Sequence, residues 1–510
     1  MQPLGRAIGN ACRVGWRVLV SRVPSTAAGF FARFDCLVTV CGKGYKMQGK
    51  PLVMLLVVLY ASAFLAGFNE NLVNMALVSV MGEYGVDSVA AQWLVTGYMI
   101  VATIMVMCMA FFYRRFKLRP LYFSAAAFTL VGSLMGLLAP NFELLMAARL
   151  VQAVGSGIFI PLMMNTVLVV TPKEKMGTFM SIGGCMITFG PALAPVVCGA
   201  LVTTFGWHSI FAVPVIAMAV LAVLAIFAVK NLGFSPAHLD IPSVVLSAVF
   251  LSLLSFGLVE LTIDTPLAVG ALVVAVASAA LFVWRQLRCE HPLIDLSPMK
   301  SRAFWPSVVL TTVAMMGSFS CSVLLPLYLE SGTGLTAFMA GMVMLIPVLA
   351  NAGTTLLGGR IMDARGEWPL LPAGFAAIAI GFALMASLAP TLSLPAVFVA
   401  ALLVMGGTGF VFSPSQTAGL RTLPPEMNPF GVAISTTFVQ IAACIGPSLY
   451  TGILSTGQAS ALAAGASAGL ATAQGFAEAM VVATCVAAFG CALALAYSRA
   501  AVKRAALKER

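Results

Sequence analysis

Fourteen separate apolar stretches, most of about 20 residues or more, constrain this chain more than anything else in its sequence. They lie near 52–79, 92–113, 120–138, 144–170, 177–203, 208–229, 241–258 and 266–284. Six more follow near 304–329, 337–362, 368–388, 392–420, 429–454 and 476–498. A soluble core stops growing with chain length and could not hide this much apolar surface. Only 9% of the residues are charged against 61% hydrophobic, so lipid must solvate the difference. Lipid offers no partner to a free backbone group, and the runs are too long for barrel strands. Each run is therefore expected to be a transmembrane helix, and the fold class is all-α integral membrane.

The charges give an internal check on that count. Odd-numbered loops carry Glu83, Asp87, Glu143, Glu260, Asp264 and Glu330, without a Lys or Arg. Even-numbered loops and both tails hold 27 of the 28 basic residues, including Arg114, Arg115, Lys117, Arg119, Arg360, Arg365 and Arg421. Cytoplasmic loops are the basic ones, so both termini are expected in the cytoplasm of a bacterium, with the chain in its inner membrane. The net charge of +11 is then a matter of topology, and no nucleic-acid partner is expected. Residues 1–46 are basic but lack the apolar core and cleavage pattern of a signal peptide. They read as a tail, with Met47 a natural start.

The eleven cysteines show no CxxC or Cys/His spacing, so neither a disulfide framework nor a metal site is expected. No Walker loop, GxSxG or HExxH appears, which excludes a self-contained ATP-driven pump.

An internal duplication organises the chain. Gly155-Ser-Gly157-Ile-Phe-Ile-Pro161 recurs as Gly407-Thr-Gly409-Phe-Val-Phe-Ser-Pro414, and Pro172 and Glu174 recur at Pro424 and Glu426. Gly190-Pro191 is echoed by Gly446-Pro447. The expected plan is a tail (1–50), a six-helix bundle (51–231), two linker helices with a basic loop (232–302), a second six-helix bundle (303–498) and a tail (499–510). Two related bundles that rock about a central site give alternating access.

In series, the motifs resemble those of the major facilitator superfamily, in particular its fourteen-helix drug:proton antiporters, with a lincomycin-exporter-like pattern over about 50–500. Asn69-Glu70-Asn71-Leu-Val-Asn74-Met-Ala-Leu77 resembles the first-helix motif, though Asn69 stands where that family has Asp. Arg149-Leu-Val-Gln152-Ala-Val-Gly155-Ser-Gly157 is similar to the fourth-helix motif, and Gly190-Pro191-Ala-Leu-Ala-Pro195 with Gly199 to the fifth-helix antiporter motif. Gly359-Arg-Ile-Met-Asp363-Ala-Arg365-Gly366 resembles the basic gating loop. Its first copy, Ala110-Phe-Phe-Tyr-Arg114-Arg115, has no Asp, so any latch built on that acid must be asymmetric. The resemblance implies proton-coupled efflux of amphipathic drugs, driven by the proton gradient without a cofactor. Protons, the bilayer and a lipophilic or amphipathic substrate are the implied partners. In a cell with an outer membrane, a periplasmic adaptor would join them.

Glu70 is the one carboxylate well inside an apolar run and Arg149 the one basic residue there. A charged group at the bilayer centre costs about 2.5–3.5 kcal/mol on insertion scales, so both demand a role or a partner. Three readings stand. Arg149 and Glu70 form a proton-coupled pair, with Asn69 beside it; or they merely lock helices; or Glu70 faces an outer vestibule while Arg149 bonds to backbone or Gln152. Asn71 and Asn74 are expected on one helix face with Glu70. Tyr98, Gln152, Met163, Asn165, Tyr328, Gln416 and Gln440 are candidate cavity residues, with ordinary packing as their alternative. Gly183, Gly190, Pro191, Pro195 and Gly199 would let helix five bend against the other bundle. Asp363, paired with Arg365 or Arg360, and Arg114 and Arg115 would form a cytoplasmic gate. Two other functions remain: a transporter dedicated to one metabolite, lipid or peptide, and a membrane enzyme or sensor. The duplication argues against the last.

Overall fold

The computed structural model describes residues 50–74, 76–86, 88–230, 240–260, 265–289, 292–335 and 337–508. The N-terminal tail before Lys50, Asp87, Asp264, Glu290 and His291 lie outside them. Among the described residues, fourteen helices are long and apolar enough to cross a membrane. The first bundle comprises α1 (Lys50–Asn71), α2 (Ser88–Arg115), α3 (Leu118–Leu137), α4 (Phe142–Val170), α5 (Met176–Phe205) and α6 (Ala212–Ala228). Two further helices, α7 (Ile241–Glu260) and α8 (Thr265–Arg288), pack on each other, and α7 packs on α2 and α13. The second bundle comprises α9 (Trp305–Leu327), α10 (Ala337–Arg365), α11 (Leu370–Leu388), α12 (Leu394–Leu420), α13 (Asn428–Ala463) and α14 (Ala468–Lys508).

Local chemistry sets the helix ends. Asn141 caps α4 by accepting the Leu144 N–H at 2.9 Å, with Glu143 in the first turn. Its C-terminus stops before Pro172, which cannot continue an α-helix. Gly366, at φ 73°, takes the left-handed turn that ends α10.

The duplicated motifs occupy matching places. Gly155 packs on Ala125 and Thr129 of α3, and Gly407 on Gly374 and Ile378 of α11. Two residues later, Gly157 packs on Ala102 of α2 and Gly409 on Asn351 and Thr354 of α10. A side chain at any of these points would strike backbone. Pro172 and Pro424 each precede a 3₁₀ turn, Lys173–Lys175 and Pro425–Met427, with nearly identical backbone angles. Gly190 sits on Phe64 and Phe68 of α1, while Gly446 sits on Met316 and Ser320 of α9. Two pseudo-symmetric bundles result.

One span differs from the sequence expectation. The run 52–79 is not one helix: α1 stops at Asn71, and a short helix, Leu77–Tyr84, follows a run of tight turns. In that break Asn74 Nδ2 donates to Asn71 Oδ1 at 2.9 Å, and the N–H of Ala76 reaches only back to Val73. Asparagine side chains compete with the helical ladder in this way. Asn74 therefore does not continue the α1 face of Glu70. The short helix is tied down by Glu83, which accepts from Trp207 Nε1 at 2.6 Å, and by Tyr84, whose hydroxyl donates to Ala139 O at 2.8 Å.

A polar staple fixes the linker pair where α7 begins. Arg285 donates to both oxygens of the buried Asp240, at 2.7 and 3.0 Å. Gln286 donates to Ser243 and accepts the N–H of Ile294 at 3.1 Å, and Ile294 is buried in the core. The guanidinium of Arg285 hydrogen-bonded to Asp240 holds its carboxyl below the usual carboxylate range.

Candidate functional site

Two places in the fold collect the chemistry. The first lies within the first bundle, where α4 carries Arg149 inward with no exposed surface at all. Its Nη1 donates to Asn69 O at 3.1 Å and to Gln152 Oε1 at 2.6 Å. Its Nε reaches Leu94 O at 3.3 Å, and its guanidinium lies 4.0 Å above the centre of the Tyr98 ring. The Gln152 amide in turn donates to Ser133 Oγ at 2.9 Å, and the Ser133 hydroxyl to Thr129 O at 2.6 Å. This relay orients the amide so that its oxygen faces the arginine. The cation is therefore held by carbonyls, an amide and an aromatic face, with no carboxylate in ion-pair range among the described residues.

Glu70 follows Asn69 directly, is half-buried, and has no ion-pair or hydrogen-bond partner among the described residues. The Glu70–Arg149 pair is thus not formed in this conformation. Asn69 is fully buried, and its side-chain amide has no partner among the described residues; the same is true of Arg149 Nη2. An unsatisfied buried polar group costs about 1–3 kcal/mol.

The other candidates scatter. Asn165, buried in α4, spends its Nδ2 on Pro161 O at 2.9 Å. Met163 packs against Gly183 in the first-bundle core. Tyr328 lies in the second bundle, stacked on Phe476 at 4.7 Å with its hydroxyl donated to Ala389 O at 3.0 Å. Gln416 is buried in α12 and Gln440 half-buried in α13. None of these five is a hydrogen-bond or ring partner of Arg149 among the described residues.

The second place is the seam between bundles at the ends that carry the basic loops. Asp363, at the end of α10, accepts from Gly177 N at 2.8 Å, Thr178 N at 2.7 Å and Thr178 Oγ1 at 2.6 Å, and pairs with Arg421. A carboxylate of one bundle thus caps the N-terminus of α5 in the other, where exposed N–H groups and the helix dipole favour negative charge. One turn further, Ser181 Oγ and Ser413 Oγ share a bond at 2.9 Å. The ion-pair partner of Asp363 is therefore Arg421, not Arg365 or Arg360; Arg365 and Arg115 are exposed. Arg421 shares the α10 side of the seam because α12 packs on α10, a proximity that spacing in the sequence does not encode. The first-bundle counterpart of Asp363 is Arg114, which lies over the ring of Phe430 at 5.2 Å. Phe430 occupies on α13 the place of Thr178 on α5, 252 residues earlier, and Pro429 there has no N–H to offer a carboxylate. The latch is asymmetric, an ionic cap on one side of the seam and a cation–π contact on the other.

Helix five departs from its expected partner. Gly190 and Pro191 pack against α1 of their own bundle, where a Cβ on Gly67 would meet the Pro191 ring at 3.0 Å. A Cβ on Gly199 would meet nothing within 4 Å. Gly177 and Gly184, which the motif does not include, make the contacts to α10 and α12. The side chain of Pro195 lies outside the described residues.

Residues 59–447 match the family profile of the Major Facilitator Superfamily. The Lincomycin resistance protein LmrB of Listeria monocytogenes is 31% identical over 423 residues, covering 81% of this chain and 88% of that protein. LmrB of Bacillus subtilis is 31% identical over 418 residues, covering 81% and 87%. The fold is similar to that of the human organic anion transporter MFSD10, with a TM-score of 0.63 at 12% identity over 86% of this chain and 99% of that one.

Proposed function

The chain belongs to the major facilitator superfamily, and from that membership we propose that it exports amphipathic small molecules across the bacterial cytoplasmic membrane in exchange for protons. It is a multi-pass membrane transporter, not an enzyme. The relatives named for lincomycin resistance support an efflux role, and the basic loops support a cytoplasmic face at the Asp363 seam. The proton gradient is the energy source. The bilayer, protons and a lipophilic substrate are the partners, with a periplasmic adaptor where an outer membrane must be crossed.

The observation that carries this reading is a wholly buried guanidinium without a carboxylate, one residue's reach from an unpaired glutamate. In the conformation sealed at the Asp363 latch, carbonyls share the charge of Arg149, and Glu70 is free to take a proton from the outer side. When α1 shifts as the bundles rock, the Glu70 carboxylate replaces the neighbouring Asn69 carbonyl on Arg149. The proton then leaves toward the cytoplasm while substrate enters. Exchange follows because the arginine favours ionised Glu70 in one state only.

The test is transport into inside-out liposomes by the wild type and Glu70→Gln, with lincosamides, dyes and quaternary ammonium compounds as substrates. Wild-type uptake should collapse with an uncoupler, and the variant should insert but no longer couple. Normal proton-driven uptake by Glu70→Gln would end the mechanism. Uptake of a single compound without competition from the panel would favour a dedicated transporter.

A further inference from the structure

An open surface groove of about 370 Å³ lies away from both places described above, between α13, α14 and the α11–α12 connection, lined by Pro390, Gly457, Ser460, Gln474, Ala477 and Glu478. We propose that it binds the protonated amine head of an amphiphile lodged in the outer leaflet. The proposal rests on the sidedness argued for the transporter and on nothing else in that reading.

The pocket is built around one carboxylate. Glu478 is exposed to the groove and has no hydrogen-bond or ion-pair partner among the described residues, and its Oε2 packs against Gly457 more closely than a Cβ there would allow. Glycine at 457 therefore makes the room the carboxylate occupies. Gln474 precedes Glu478 by one helical turn and so shares its face. The Ser460 hydroxyl donates to Gly457 O at 2.9 Å, which leaves its oxygen lone pairs as acceptors. A carboxylate, a carboxamide and a hydroxyl thus line one groove, with Pro390 and Ala477 as apolar wall.

Depth identifies what can reach it. Arg499, the first basic residue toward the cytoplasmic end of α14, lies 21 residues beyond Glu478, or about 31 Å along an α-helix. That distance equals the roughly 30 Å hydrocarbon thickness of a bilayer. With Arg499 at the inner interface, Glu478 stands at the outer headgroup level. Anionic head groups are repelled there by the carboxylate. Calcium demands about six to eight oxygen ligands, more than one carboxylate and two neutral oxygens supply. A primary ammonium offers three N–H donors to three acceptors and a single positive charge to a single negative one. Two sources carry that chemistry, an ethanolamine phospholipid and a free alkylammonium amphiphile.

The test uses the full chain in phosphatidylcholine–phosphatidylglycerol nanodiscs with a photoreactive dodecylammonium probe, mapped by peptide mass spectrometry. Labelling should fall on residues 457–478 and drop at least tenfold in Glu478→Gln. It should drop equally in Ala477→Phe, which fills the space but keeps the carboxylate, and persist within a few fold in Glu478→Asp. Competition by phosphatidylethanolamine but not phosphatidylcholine assigns the lipid source; competition by free alkylammonium alone assigns a soluble amphiphile. Equal labelling of the wild type and Glu478→Gln, or labelling that no amine displaces, overturns the site. Labelling only from the lumen of right-side-out vesicles overturns the leaflet assignment. Glu70→Gln should label like the wild type, so failure of the coupling mechanism and failure of this site are read separately.

Discussion

Replacing Asp363 by Asn should loosen the basic-side seam while leaving each bundle intact. Of the groups around this carboxylate, Arg421 belongs to the same bundle, so its pairing can survive opening. Only the bonds from Gly177 N, Thr178 N and Thr178 Oγ1 cross the seam and are lost when it opens. Hydrogen bonds to charged groups are worth about 1.5–3 kcal/mol each when removed, but water replaces part of each on opening. An exposed helix N-terminus adds about 0.3–1 kcal/mol. Taking roughly 1 kcal/mol net per bond, the charge favours the sealed state by about 3 kcal/mol. At 1.4 kcal/mol per tenfold, the open population should rise about a hundredfold in Asp363→Asn. A single cysteine at Ser413, in a background without native thiols, reports this as maleimide labelling from the basic side. Its neighbour across the seam is Ser181, at 2.9 Å, so the label enters only when the bundles part. A labelling rate within twofold of the parent would refute the latch.

Two glycine substitutions on α5 should behave oppositely. Gly190→Ala pushes a methyl to 2.7 Å from Phe68 N and should destabilise the α1–α5 contact by about 1–3 kcal/mol, whereas Gly199→Ala meets nothing within 4 Å and should leave thermal unfolding in detergent unchanged. Arg149→Lys keeps the charge but cannot serve Asn69 O, Leu94 O and Gln152 together, so transport should fall at least tenfold with expression retained. For Asp240, Arg285 lowers the folded carboxyl's pKa, so its contribution is fully present above the ordinary carboxylate pKa, about 3.9. It is lost as pH falls below that value and through the folded pKa. Wild type and Asp240→Asn should therefore differ in unfolding temperature at pH 7 and converge toward pH 3. A constant gap across that range would count against the staple.

The number of helices, their lipid setting and the duplication were legible because each depends on local properties of the chain. A span needs only a long enough apolar run to satisfy its backbone internally, and two copies of one ancestral bundle leave matching residues, as at Gly155 with Gly407. The presence of one acid and one base within the apolar spans was equally plain, since Glu70 and Arg149 stand out against apolar neighbours. Which groups these charges meet was decided elsewhere. Arg149 turns to carbonyls and Gln152 because the tertiary crossing of α1, α2 and α4 brings backbone oxygens closer than the adjacent carboxylate. Asp363 takes Arg421 and the N–H groups of α5, partners 58 and about 185 residues away, rather than the arginines beside it. The end of α1 at Asn71 reflects a contest between amide side chains and the helical ladder, which hydropathy does not register. Apolar periodicity is written along the chain, whereas the pairing of polar groups depends on directions and distances that exist only once the helices have packed.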